Sequence, residues 1–276
     1  MIANTPQTAP VTLKSAYDKM RTGKLLSGVD ANPKVKKGEK VSGIHTAILH
    51  LAPGAMSGYN VCPHASKGCL SACLHSAGNR SYLPHKTRAR IAKTRAFFEH
   101  RQTFLSVLER EIMTRQAWAH KRGLSLAVRL NGTSDVNWDM EATDMLHRLS
   151  LAGVIMYDYT KDPRQATQPS LRAMVYSRSE SNHVRALKML SKGVSVAVVI
   201  DGCGISAHPK PLPATLWGFK VVDGDVHDRT FEHPRGVVIA LRAKGEARGD
   251  RSGFVVDKQG VPITGTSVAL TISLAA

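Results

Sequence analysis

The sequence predicts an α/β protein with a mainly parallel β-sheet, and the arrangement it favours is a (β/α) barrel-like domain, closed or partly open. Seven short apolar runs have the character of buried strands: 44–51, 124–130, 154–159, 172–176, 194–200, 216–222 and 237–241. Helical patterns separate several of these runs, and such alternation indicates parallel strands joined by right-handed crossovers. Because so many strands exceed what a small open sheet needs, the barrel is favoured over its rival, a doubly wound open sheet.

The longest helical pattern runs from Lys86 to Arg122, with a predicted break at His100–Gln102. Its apolar residues recur at three- and four-residue spacing, which indicates one buried stripe: Phe97, Phe98, Phe104, Leu105, Leu108, Ile112 and Met113. A shorter helix is predicted around Met145–Leu149. Another spans Val184–Leu190 and ends at Gly193, a plausible C-cap residue.

The chain divides into a peripheral N-terminal segment, residues 1–40, and a single domain, residues 41–276. With 276 residues, of which 42% are hydrophobic, the chain is long enough to bury a large core. A short helix is predicted from Leu13 to Leu26 in the first segment, and Ser252–Ala276 is expected to add a hairpin or strand.

Positive charge predominates, with 38 Lys and Arg against 21 Asp and Glu and a formal net charge of +17. Such an excess favours contact with polyanions, nucleic acid before membrane surface. Between Lys86 and Arg122 there are ten basic residues and three Glu. The predicted nucleic-acid contacts lie at the start of this helical segment: Lys86, Arg88, Arg90, Lys93 and Arg95.

The sequence also predicts a cytoplasmic protein with no membrane partner. No run approaches the roughly twenty apolar residues that a membrane helix needs, and Met1–Pro10 has no signal-peptide pattern. In the cytoplasm, clustered cysteines indicate metal ligands or reactive thiols rather than disulfides.

Three of the four cysteines, Cys62, Cys69 and Cys73, lie close together with the spacing C-x6-C-x3-C. Thiolates are preferred ligands of iron–sulfur clusters and of zinc, and closely spaced cysteines on a Gly-containing loop can surround one centre. We predict that these three residues hold a metal centre, by preference a 4Fe-4S cluster. Three cysteines would leave one iron without a cysteine ligand and able to bind substrate or cofactor.

Other assignments of these cysteines remain open from sequence. His64 or His75 would complete a Cys₃His zinc site, or the thiols would carry no metal. Cys203, which follows a predicted strand, is a candidate fourth ligand, although buried cysteines without a ligand role are common.

Polar residues follow each predicted strand, and in parallel α/β proteins the carboxyl ends of the strands form the active face. The cysteine loop follows the first strand in the same sense. We therefore expect a substrate or cofactor pocket around it, formed by Asn131, Asp135, Asp158, Lys161, Arg178, Asp201 and Arg242.

With the cysteine loop and the blocks Asn131–Asp135, Tyr157–Pro163, Val222–Asp225 and Gly236–Gly245, the chain resembles an uncharacterised family of phage and plasmid proteins called gene product 88-like. The likeness extends over residues 42–245. It implies no activity, and a phage origin would place the protein in the cytoplasm of a bacterial host.

More distantly, a three-cysteine loop after the first strand of a TIM barrel-like domain is similar to the radical S-adenosylmethionine enzymes. Those enzymes typically carry C-x3-C-x2-C, from which this spacing departs. The resemblance implies that S-adenosylmethionine binds the open iron of a 4Fe-4S cluster, with Asp158, Lys161, Asp201 and Arg242 positioning a substrate.

Three functions follow as hypotheses. The first is a radical-type or otherwise cluster-dependent enzyme. The second is a phage-type nucleic-acid-binding protein with a structural iron–sulfur or zinc site, and the third is an electron-transfer protein, which leaves the polar strand ends unexplained.

Overall fold

Parallel strands follow one another across one large sheet, largely in the order in which they occur along the chain. The computed structural model describes residues 12–27, 39, 41–76, 83–205 and 208–265. The strands are β1 Ile44–Ile48, β2 Ser125–Arg129, β3 Ile155–Thr160, β4 Arg172–Ser177, β5 Val196–Ile200, β6 Gly204–Ile205, β7 His208–Pro209, β8 Thr215–Leu216, β9 Phe219–Asp223, β10 Val238–Arg242, β11 Ser252–Val256 and β12 Pro262–Thr264. The α-helices are α1 Leu13–Met20, α2 Lys67–Ser71, α3 Pro84–Glu99, α4 Arg101–His120, α5 Trp138–Glu141, α6 Thr143–Leu151, α7 Pro163–Thr167 and α8 His183–Ser191.

The described strands form an open sheet, so of the two predicted forms of a barrel-like domain, closed or partly open, the closed form is not found. Its strand order is β1-β2-β3-β4-β5-β10-β9-β8, and every neighbouring pair is parallel except the β8–β9 hairpin. Among the described residues, no pairing joins β1 to the opposite edge. At its carboxyl end β5 also pairs with β11, which forms an antiparallel hairpin with β12.

The two faces of the sheet have different neighbours, because successive residues of a strand point to opposite sides. In β5, Val196, Val198 and Ile200 pack with Ala186, Met189 and Leu190 of α8. The intervening Ala197 and Val199 belong to smaller apolar clusters on the other side. The main core therefore lies between sheet and helices, and the opposite face is left for other groups.

Part of the N-terminal segment is built into this core. Ala16, Met20, Leu25 and Leu26 are all buried in the same apolar cluster as β1, β2 and α4. Glu111 of α4, itself buried, accepts hydrogen bonds from the Tyr17 hydroxyl at 2.5 Å and from the backbone N–H groups of Leu25 and Leu26 at 2.8 and 3.0 Å. Residues 12–27 thus share the core of the domain, whereas most of 28–40 lies outside the described residues.

The long helical segment breaks at His100, within the predicted interval, into α3 and α4. Phe97 and Phe104 are buried beside Trp138, while Phe98 and Met113 of the predicted stripe are partly exposed. Across the described ranges, no helix combines the length and the apolar character needed to cross a bilayer.

A buried ion pair joins β3 to β4. The Asp158 carboxylate accepts from Arg172 Nη1 at 2.9 Å and from the Asn131 N–H at 2.7 Å, and both charged side chains are fully buried. Arg172 also donates to Asp139 at 2.8 Å. Burial raises the pKa of Asp158, and the adjacent Arg172 opposes that rise. The pair thus links two strands and the segment that follows β2.

We expect Asp158→Ala to destabilise the protein by about 3–5 kcal/mol, because it would remove the fully buried partner of Arg172 and leave this guanidinium with the partly exposed Asp139. Urea unfolding followed by circular dichroism measures this loss. Asp201→Ala, at a half-buried residue after β5, is the matched control and should change stability by less than about 0.5 kcal/mol. A loss below about 1 kcal/mol for Asp158→Ala would show that the pair is not structurally required.

Candidate metal centre

The segment that carries the cysteines leaves β1 and is fastened on both sides. The Thr133 hydroxyl donates to the Leu51 carbonyl at 2.6 Å, and the Asp135 N–H donates to the Val61 carbonyl at 2.8 Å. On the other side, the Ala52 N–H donates to the Thr94 hydroxyl of α3 at 2.8 Å. These bonds position the chain just before Cys62 above the end of β2.

The cysteines do not share one continuous loop, because α2 forms within the segment. Cys62 precedes this helix, Cys69 lies in it and Cys73 follows it. Ser66 is the N-cap, and its hydroxyl accepts from the Cys69 N–H at 3.2 Å. The predicted loop is therefore partly helical. The helix fixes the local backbone geometry between Cys62 and Cys73.

Glu180, which follows β4, attaches α2 to the sheet. Its carboxylate accepts from the Gly68 N–H at 2.8 Å and from the Ser66 hydroxyl at 2.7 Å. A Cβ atom at residue 68 would lie 2.1 Å from the Ser252 hydroxyl oxygen and 2.8 Å from a Glu180 oxygen. A side chain at residue 68 would displace the Ser252 hydroxyl and the Glu180 carboxylate, so Gly68 permits the close packing of α2 against Glu180.

Cys62, Cys69 and Cys73 all line one cavity of about 540 Å³. Each cysteine is partly buried. Burial raises the pKa of Cys62 to about 11, with the neighbouring Cys73, Asp135 and Cys69 adding to the rise, and burial also raises the pKa of Cys73. These two thiols are accordingly protonated near neutral pH, and a metal would bind there by displacing protons.

The other predicted ligands do not line the cavity. His64 lies 3.5 Å from the Asp162 carboxylate, and both ring nitrogens of His75 contact α3, at 2.6 Å from Arg90 Nη1 and 3.3 Å from the Thr87 hydroxyl. Cys203 is fully buried in the apolar cluster beneath α8. Throughout the described part of the chain, no three Cys, His, Asp or Glu side chains converge as a site for a single metal ion.

The cavity opens over the carboxyl ends of the parallel strands, on the sheet face opposite α8. Five of the seven predicted pocket residues line it: Asn131, Asp135, Lys161, Arg178 and Arg242. The other two do not. Asp158 is committed to Arg172, and Asp201 lies after β5 with its N–H donated to Val256.

Lys161 connects the thiols to the strand ends. Its side chain hydrogen-bonds to Cys69, and its N–H donates to the Asp135 carboxylate at 2.9 Å. Burial lowers the pKa of Lys161, but the neighbouring Cys69 and Asp135 raise it by more, so the net shift of this pKa is upward. Lys161 therefore places a positive charge directly beside the Cys69 sulfur.

Several wall residues were absent from the predicted pocket: His50, Arg129, Asp225, Asp228, Lys244 and Phe254. His50 is the polar residue just after β1, and that position is a signal from which it could have been selected. Burial, reinforced by the nearby Arg90 and Arg129, lowers the pKa of His50 to about 3. His50 is therefore neutral at physiological pH.

The predicted nucleic-acid contacts separate into two groups on α3. Lys86, Arg90 and Lys93 line the cavity, whereas Arg88 and Arg95 are exposed. Burial lowers the pKa of Lys93 to about 8, and its ammonium donates to the Leu25 carbonyl at 2.7 Å. One face of α3 is thus directed into the cavity, and the exposed face offers fewer cations than predicted.

Comparison with known proteins gives one match. Searches of curated proteins and of solved structures found none, so the likeness to radical S-adenosylmethionine enzymes stays a prediction. The family model described as Gene product 88 matches residues 18–258. That range contains all three clustered cysteines and every strand of the large sheet except β12. Since it covers most of the sequence, the chain belongs to the Gene product 88 family.

Proposed function

We propose that the protein holds a 4Fe-4S cluster on Cys62, Cys69 and Cys73 and acts as a cluster-dependent enzyme on a small molecule bound in the adjoining cavity. The observation that carries the proposal is that all three thiols line the same cavity at the strand ends. Thiolates are the usual ligands of such clusters. Cys203 and the two candidate histidines lie elsewhere, so the proposed ligand set is three cysteines.

The size of a cubane cluster favours iron–sulfur over zinc. Ligands of one zinc ion converge within a tetrahedron of about 2.3 Å bonds, whereas a cluster of four irons and four sulfides keeps its thiolates further apart. All three thiols line one cavity, whereas the described residues contain no group of three ligands that could hold a single metal ion, so zinc is the weaker candidate. The engagement of His75 with Arg90 and Thr87 also argues against a Cys₃His site.

The charge of the cavity wall suits an anionic centre. Eight Lys or Arg residues and three Asp residues line it. Deprotonation of three cysteines would add three negative charges, which this wall can neutralise. Lys161 at Cys69 and Arg90 near Cys73 are the nearest cations on which that argument depends.

The topology supports a comparison with an incomplete barrel. Five sequential parallel strands with the cavity at their carboxyl ends correspond to the wall of a (β/α) barrel that does not close. A cluster with one iron free of cysteine would supply redox and Lewis-acid chemistry there, and S-adenosylmethionine is our candidate cofactor. Asn131, Asp135 and Lys161 would then orient the bound molecule, and Arg242 would complete the opposite wall.

Nucleic-acid binding is the second candidate function. The net charge of +17 and the exposed Arg88 and Arg95 favour it. The orientation of Lys86, Arg90 and Lys93 toward the cavity favours the enzyme instead. We therefore assign any nucleic-acid contact to the exposed face of α3 and regard it as non-specific.

Serine substitution of each clustered cysteine should abolish or cripple cluster assembly, because an alcohol stays protonated and is a poor ligand for iron. Iron and sulfide per chain, with the visible spectrum, are measured after anaerobic reconstitution of Cys62→Ser, Cys69→Ser and Cys73→Ser. Cys203→Ser is the matched control and should retain wild-type iron and colour. Full iron in any of the first three variants, or a colourless zinc-loaded wild type, would contradict the proposal.

Exchanging Arg88 and Arg95 together for Gln should weaken binding to duplex DNA by removing two phosphate contacts. Each phosphate contact contributes roughly 0.9 to the magnitude of the slope of log K against log salt, so the loss of two contacts should reduce this magnitude by about 2. Fluorescence anisotropy over a salt series measures it. Exchange of the exposed Lys188 in α8 and the exposed Lys192 just after it for Gln removes the same charge and should leave the slope unchanged. Equal slopes for both pairs would reject α3 as the contact surface.

A further inference from the structure

Arg178 occupies the place where the sheet divides. β4 pairs with β5 only through Tyr176 and Ser177, and beyond that point β11 takes the position beside β5. Arg178 follows β4 directly, lines the cavity and is only 2% exposed. Its Nη1 donates to the Gly253 and Phe254 carbonyls of β11, both at 2.6 Å. One end of the guanidinium thus holds the two diverging strands together.

The rest of this guanidinium has no partner within the described part of the chain. Nε and Nη2 are both buried and make no hydrogen bond. These two nitrogens form one edge of the guanidinium, whose N–H groups point the same way and match the two oxygens of a carboxylate or phosphate. Buried donors are almost always satisfied, so an unpaired guanidinium edge on a residue that lines a cavity indicates a ligand.

The nearby carboxylates are engaged with other groups. Asp228 pairs with Arg129 at 3.2 Å, and Asp225 lies 2.5 Å from Lys244 Nζ. Glu180 holds α2, and Asp250 accepts from the Ser252 hydroxyl and the Val255 N–H. No ion pair joins Arg178 to any of the described carboxylates.

The charge of Arg178 survives its burial. Burial lowers its pKa to about 10, and the more distant Glu180 and Asp250 partly offset that effect. At neutral pH the guanidinium is therefore cationic and buried, with no ion-pair partner among the described residues, which is a costly arrangement unless an anion joins it.

We infer that Arg178 binds a carboxylate or phosphate group of the cavity's small-molecule ligand through Nε and Nη2. The ligand of the cavity is accordingly an anion, anchored at the division between β4 and β11. This inference adds a substrate class to the proposed function but does not depend on it, because the anchoring edge makes no use of the thiols or of any metal.

The test uses the full-length protein without metal, titrated separately with inorganic phosphate and with acetate at constant ionic strength. Calorimetry or thermal shift reports the dissociation constants. Arg178→Lys keeps the charge and a donor for β11 but lacks the two-nitrogen edge, so it should weaken binding at least tenfold. Arg88→Lys, on the exposed face of α3, is the matched control and should change binding less than twofold.

Each outcome bears on the inference. Phosphate binding alone identifies a phosphate ester, acetate binding alone identifies a carboxylate, and either supports the anchor if Arg178→Lys removes it. Failure of both anions to bind, or equal binding by wild type and Arg178→Lys, overturns it. Because no iron is present, a failed anchor and a failed cluster assignment are distinguishable.

Should Arg178→Lys not fold, the wild-type protein with ¹⁵N-labelled arginine decides the matter. Titration should shift one exchange-protected Nε–H resonance in a saturable way, while sodium chloride at the same ionic strength does not. A spectrum in which no protected arginine resonance responds to phosphate or acetate also overturns the inference.

Discussion

The hydrogen bonds that Glu180 accepts from the first turn of α2 are the contact on which the site depends. One carboxylate after β4 engages the Gly68 N–H and the Ser66 hydroxyl, and Ser66 in turn caps the helix at Cys69. The cysteine segment leaves the sheet after β1, three strands away, so this contact carries it across the strand ends. Cys69 also packs against the apolar cluster that contains Phe254 and Val255 of β11, so Glu180 and this cluster together hold α2 against the sheet. The dependence also explains why residue 68 has no room for a side chain.

Around that contact, buried charges at the strand ends serve two different purposes. Asp158 and Arg172 neutralise each other and join neighbouring strands away from the cavity. Arg242 is saturated by Asp223 and by the carbonyls of Cys203 and Lys210, although it reaches the cavity wall. Paired charges of this kind position the backbone, whereas Arg178 retains donors that no described group uses. Arg172 also keeps one unused buried donor, Nε, so Arg178 differs in two respects: two adjacent donors are unused, and no described carboxylate forms an ion pair with it.

The parallel sheet could be predicted from the sequence because the signals for its strands and helix ends are local. The apolar run at 194–200 contains β5, Gly193 follows the C-cap of α8 with a left-handed φ of 77°, and the C-terminal hairpin includes β11 and β12. The open edge could not be predicted, because barrel closure depends on pairing between distant strands. The same holds for β11, whose place beside β5 is created by the divergence of β4.

Strand alternation could have separated some pocket residues from structural ones. Tyr159 lines the cavity, so Asp158, one residue earlier, points to the opposite face of β3. The alternation of side chains along β3 would have separated these two residues once the bounds of the strand were known. For Arg178 no such signal exists, because its function follows from what its nitrogens lack rather than from its position in a pattern.

The cavity also changes what the net charge of +17 implies. Eight of the chain's 38 basic residues line this one cavity, including three that begin the basic helical segment. A positive charge that lies in a wall beside three thiols has low-dielectric surroundings, where its interaction with an anion is several times stronger than on a solvated surface. Composition alone cannot distinguish the two locations, and a basic protein looks the same whether it binds a long polyanion outside or a small anion inside. The eight cations of the cavity wall, which include the partly buried Lys161 and the buried Arg178, thus place part of the excess charge inside the protein.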